Sequence, residues 1–147
     1  MDTMDVKGQA SVEYLLLALV FLIIIGSVTV PLISTAISDS LDISHTSDAS
    51  AALNSIANAV GIVYANGPGA KRTLNVFFSR AGTISYANNS LQMSVPLSNG
   101  VNKTVDSSVP IAVTLSPNGN ILNNTNYNAT VTWATGSSPI NVALTQV

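Results

Sequence analysis

Between Tyr14 and Ser38 the chain carries no charged side chain, and Leu15-Leu16-Leu17-Ala18-Leu19-Val20-Phe21-Leu22-Ile23-Ile24-Ile25 within it is almost pure hydrocarbon. Those twenty-five residues, at about 1.5 Å each, cover roughly 37 Å as a helix, more than the ~30 Å apolar core of a bilayer. The run therefore predicts a membrane phase. Glu13 stands at its lip, where an ionised carboxylate is expensive unless it reaches water or a cation. Lys7 lies at the amino end, and because Lys and Arg set orientation while Asp counts little, the amino end stays inside and the bulk of the chain goes out. An ordinary secretory signal would close on a small-residue cleavage site, but Gly26-Ser27-Val28-Thr29-Val30-Pro31 continues as helix. A plain single-span anchor is the simplest reading of the run by itself.

The residues before the run narrow that reading. Lys7-Gly8 followed by Gln9-Ala10-Ser11-Val12-Glu13-Tyr14 and an apolar helix resembles the class III signal peptide of archaeal type IV pilins over about Lys7 to Pro31. The resemblance implies that a prepilin-type peptidase cuts between Gly8 and Gln9, removing residues 1–8 as a leader. It also implies that Glu13 meets the free amino group of Gln9 in a neighbouring subunit, with Tyr14 beside it in the assembly contact. Beyond Pro31 the likeness is one of architecture alone.

Composition excludes several functions. Charged residues make up 8% of the chain and the formal net charge is -2, so there is no basic face for nucleic acid. The absence of cysteine removes disulfides, thiolate chemistry and zinc-knuckle spacing. Beyond residue 66 the only carboxylate is Asp106, so no acid pair, Ser-His-Asp set or phosphate-cradling glycine loop emerges. No cofactor and no enzyme activity are expected.

Helical spacing persists past the membrane run. Leu32, Ile33, Ala36, Ile37 and Leu41, then Leu53, Ile56, Val60 and Val63, recur at three and four residues. Pro31, helped by Gly26, predicts a kink, the polar stretches Ser38–Ser40 and Ser44–Asp48 predict weakening or exposure, and Asn66-Gly67-Pro68-Gly69 predicts the stop. After it the period falls to two. Alternation around Leu74–Phe78, Leu91–Val95, Val109–Leu115, Tyr127–Trp133 and Ile140–Leu144 predicts five or six one-sided antiparallel strands. Pro110 marks an edge or a strand start. Turns are expected at Ala81-Gly82, Asn88-Asn89, Asn99-Gly100, Pro117–Asn120 and Thr135-Gly136. The expected fold is α+β: a leader at 1–8, a long helix over 9–65, and a small antiparallel β head over 66–147.

Remaining candidates are few. His45, between Asp42 and Asp48 at helical spacing, reads as a solvated surface residue rather than a metal ligand. Lys71-Arg72 is too short for a polybasic patch, and Trp133, Tyr86 and Tyr127 read as sheet core rather than a sugar platform. Asn-x-Ser/Thr acceptors for N-glycosylation occur at Asn88, Asn102, Asn123 and Asn128, all on the segment expected outside. Together with the resemblance, these features imply a structural subunit of an extracellular type IV pilus-like filament, used for surface adhesion. Its partners would be the membrane before assembly, the peptidase and assembly machinery, then copies of itself; nucleic acid is not among them. A membrane-anchored or minor-pilin adhesin, whose head binds a surface or carbohydrate without forming the bulk polymer, is the alternative.

Overall fold

A computed structural model describes residues 6–116, 119–136 and 139–147, with side chains from Ser11 onward. One helix, α1 (Val6–Asn66), is followed by eight strands: β1 (Lys71–Phe78), β2 (Gly82–Ala87), β3 (Ser90–Pro96), β4 (Asn102–Ser108), β5 (Val113–Ser116), β6 (Asn120–Ile121), β7 (Thr125–Thr132) and β8 (Ile140–Gln146). The chain divides into two compact units, residues 1–40 and 41–147. The division falls inside α1, not at its end.

In the first unit the helix is unbroken through Gly26 and Pro31. Proline takes the amide that would donate to the Ser27 carbonyl out of the ladder. Two hydroxyls bond the backbone around it: Ser27 Oγ donates to the Ile24 carbonyl (2.9 Å) and Thr35 Oγ1 to the Pro31 carbonyl (3.1 Å). Large apolar side chains from Val12 to Ile37 are exposed at consecutive positions, so hydrocarbon points outward all round the helix.

The second unit has one core shared by α1 and two four-stranded sheets, ordered β1-β7-β8-β5 and β4-β3-β2-β6. From α1 come Leu53, Ile56, Val60 and Val63, the i, i+3/i+4 face read in the sequence, extended by Ala49 and Ala52. This part of the helix meets β1 along one side, where Ala51, Ala52 and Ser55 face Asn75–Phe77, and β4 along the other, where Ser107 Oγ donates to Asn54 Oδ1 (2.7 Å). The helix thus lines one edge strand of each sheet. It ends where expected: Gly67 turns left-handed (φ 85°) and its amide closes the last turn on the Val63 and Tyr64 carbonyls.

The α+β architecture matches the sequence reading, with two differences. The head is mixed rather than purely antiparallel, because β5 runs parallel to β8 (Val113↔Ile140 to Ser116↔Ala143). It also has eight strands, since the two-residue β6 and the longer β2 and β4 add to the five alternating runs. Each of the longer two buries a single side chain, Ile84 or Val105, which leaves no period-two signal to read. Pro110 lies just before β5, where its missing amide disturbs no ladder bond. Asn88 and Asn89 both adopt positive φ (52° and 57°) between β2 and β3, the geometry of a two-residue hairpin turn matched to strand twist. At Gly119 the backbone admits no side chain: φ is +54° and a Cβ would overlap the Ile84 carbonyl. Its own carbonyl accepts from the Ile84 amide at 2.8 Å.

Candidate functional site

The first unit offers a surface rather than a pocket. Val12, Leu16, Leu17 and Val20 surround Glu13 on the helix, and both Glu13 and Tyr14 are exposed. Among the described residues Glu13 has no ion-pair partner. Gly8 and Gln9 belong to the helical backbone, and the Gln9 side chain lies outside what is described.

In the second unit the most ordered polar cluster surrounds Asp42, a residue the sequence reading noted only as a neighbour of His45. Asp42 is 8% exposed and is the buried acid of the head. It lies seven residues before Ala49 and eleven before Leu53, so the helix aims it into the core-facing side. Its carboxylate accepts from the Ser98 amide (2.8 Å), the Ser98 hydroxyl (2.8 Å) and Arg80 Nη1 (2.7 Å). The Ser98 amide does most to hold the carboxyl below its ordinary value; burial opposes it, and the Ser98 hydroxyl and Arg80 reinforce it. An acid on the apolar face of an amphipathic helix was the available signal. Its partners, 38 and 56 residues away, were not foreseeable from spacing.

One turn on, His45 departs from the expectation of a solvated residue. It is half-buried and its Nδ1 is 2.9 Å from Ser79 Oγ. Ser79 and Arg80, consecutive in the β1–β2 turn, therefore engage His45 and Asp42 on successive turns of α1. Of the weakening or exposure expected at the two polar stretches, the helix shows exposure, at Asp39, Ser40, Ser44 and Ser47, and it continues unbroken while Asp42 and His45 bond to the turn at Ser79 and Arg80. Among the described residues no three His, Cys, Asp or Glu side chains gather as a metal site.

Tyr127, Tyr86 and Trp133 are structural in position. Tyr127 is buried and meets Phe78 edge-on (6.0 Å), while its hydroxyl accepts from the Leu122 amide. Tyr86 packs against the core and donates to Asn89 Oδ1 (3.1 Å). Trp133 is partly buried and stacks on Tyr64 at 5.6 Å and 16°. Lys71 and Arg72 open β1 and are exposed.

All four glycosylation acceptors are exposed. Asn88 is in the β2–β3 turn, Asn102 opens β4, and Asn123 precedes β7, with the Thr125 hydroxyl donating to its carbonyl (2.9 Å). Asn128 differs from them by standing within a central strand, β7. No protein-family model, curated protein or solved structure matches this chain.

Proposed function

We propose that this chain is the structural subunit of an extracellular type IV pilus-like filament, polymerising through its amino-terminal helix and serving surface adhesion. The observation that carries the reading is the helix from Val12 to Ile37, apolar and exposed on every side, with one carboxylate at its end. Such a surface needs burial in bilayer first and among neighbouring helices later. In this reading a prepilin-type peptidase removes residues 1–8, the chain waits in the membrane, and Glu13 pairs with the Gln9 amino group of the next copy as helices bundle and heads face outward. In the same reading the head is a glycoprotein, to which the exposure of all four acceptors gives access.

Hydrophobic burial dominates the energetics of this assembly. A helix that buries on the order of 1000 Å² of apolar surface gains roughly 25 kcal/mol before ordering costs, at ~25 cal/mol per Å². An exposed ion pair contributes roughly 0 to 1 kcal/mol. The test is electron microscopy and mass spectrometry of material sheared from the cell surface. Filaments should consist mainly of this chain beginning at Gln9, survive high salt and dissociate in detergent. Filaments that lack the chain, or that carry it with Met1 intact, refute the proposal; a trace of it within another polymer indicates the minor-pilin adhesin.

A further inference from the structure

The outer face of the sheet β1-β7-β8-β5 has an unusual chemistry. Its outward positions are Lys71, Thr73, Asn75 and Phe77 on β1, Asn126, Asn128, Thr130 and Thr132 on β7, Asn141, Ala143 and Thr145 on β8, and Thr114 and Ser116 on β5. Asn128 is near its middle, opposite Asn75 on one side and Thr145 on the other. Nothing charged stands in its own row or in the rows next to it; Lys71 is opposite Thr132, two rows away. A ladder of side-chain bonds crosses from β1 to β7: Thr73 with Thr130 (3.2 Å) and Asn75 Nδ2 donating to Asn128 Oδ1 (3.2 Å).

We infer that Asn128 bears an N-linked glycan that lies down over this sheet face, an inference that rests on the head being a glycoprotein. Three observations converge on it. Asn128-Ala129-Thr130 is an acceptor triplet whose Asn and Thr project on the same face. The Asn75 bond engages the carboxamide oxygen of Asn128, an exposed residue, so it does not occupy the nitrogen that carries the sugar. Around it Thr73, Thr145, Asn126 and Thr130 offer hydroxyls and amides to a hydroxyl-rich ligand, and the neighbouring sheet rows hold no charge whose desolvation would oppose contact, the acid beside the β1 edge being Asp48 of α1. In the transfer, Nδ2 of Asn128 forms a bond to the anomeric carbon of a lipid-phosphate-linked oligosaccharide as that carbon's bond to the phosphate oxygen breaks. The amide gives up one proton and the lipid phosphate leaves.

Phe77 supplies a reporter of coverage. It is 41% exposed on the same face, one row from the Asn75–Asn128 pair. The experiment maps glycopeptides of the native surface protein by electron-transfer fragmentation and measures hydroxyl-radical oxidation of Phe77. The same measurements are made on Asn128→Gln, Thr130→Ala and Thr130→Ser, the last of which keeps the acceptor triplet. Asn128 should be occupied, and Phe77 oxidation should rise several-fold in Asn128→Gln and Thr130→Ala while Thr130→Ser stays near wild type. An unmodified Asn128 beside glycans at Asn88, Asn102 or Asn123 overturns the inference and leaves the glycoprotein reading intact. An occupied Asn128 with Phe77 oxidation unchanged on its loss overturns the coverage. No glycan at any of the four positions removes both readings.

Discussion

Truncating Leu53 to alanine tests whether the second half of the helix is part of the head's core. Leu53 is fully buried at the centre of the α1 face, between Ala49 and Ile56 on adjacent turns. Leu53→Ala removes three carbons, about 2.4 kcal/mol of transfer free energy at ~0.8 kcal/mol each. A residual cavity adds about 1 kcal/mol if the wall leaves ~40 Å³ open at ~24 cal/mol per Å³. The total is about 3 to 4 kcal/mol. For a unit spanning residues 41–147, at ~4 °C per kcal/mol, the melting midpoint should fall by about 12 to 16 °C. The assay is thermal unfolding of the full chain in detergent, followed by the near-ultraviolet signal of Trp133, which stacks on Tyr64. Asn58→Ala, at an exposed position of the same helix, should shift the midpoint by less than about 2 °C, the scale of an ordinary surface change of ~0.5 kcal/mol. A Leu53→Ala midpoint within that same margin would show that the strands fold without this helix.

The depressed titration of Asp42 fixes the sign of a pH effect. Its contribution to stability is fully present above the ordinary carboxylate value near ~3.9 and is lost as pH falls through its lower folded value. Asp42→Asn should be less stable at neutral pH, and its gap from wild type should narrow in acid; melting curves that stay parallel from about pH 7 to pH 2 would contradict the linkage. Gly119→Ala should cost about 1 to 3 kcal/mol or more from its left-handed backbone and the overlap with Ile84, read as a loss in denaturant midpoint. An unchanged midpoint would show that this turn relaxes freely. In the filament reading, Glu13→Gln should insert normally but assemble poorly, with membrane-bound subunit accumulating as filament yield drops; normal yield would make Glu13 dispensable.

What was legible in the sequence follows from the range over which each signal acts. The helix, its Gly67 stop and the inward residues of β1, β3, β7 and β8 were readable because each repeats within a few residues. β2 and β4 were hidden because one buried residue cannot display a period, and β6 because it is two residues long; β5 was read as a strand, but its parallel pairing was not, since its partner β8 lies far along the chain. The Asp42 cluster was invisible for a related reason: its acid, base and hydroxyl come from the helix and two separate turns. The exposed apolar run with Glu13 was fully legible, since a surface presented outward needs no tertiary contact to define it.

The place where the two compact units divide, after Ser40 rather than after Asn66, also bears on how such a chain could be recombined. The last turns of α1 supply Leu53, Ile56, Val60 and Val63 to the interior of the head. A cut at Gly67 would leave two sheets with an open flank and a helix with an orphaned apolar stripe. A cut near residue 40 leaves both parts whole. Exchange of heads between chains of this kind should therefore carry the helix's second half along, and a soluble fragment for binding assays should begin near Leu41.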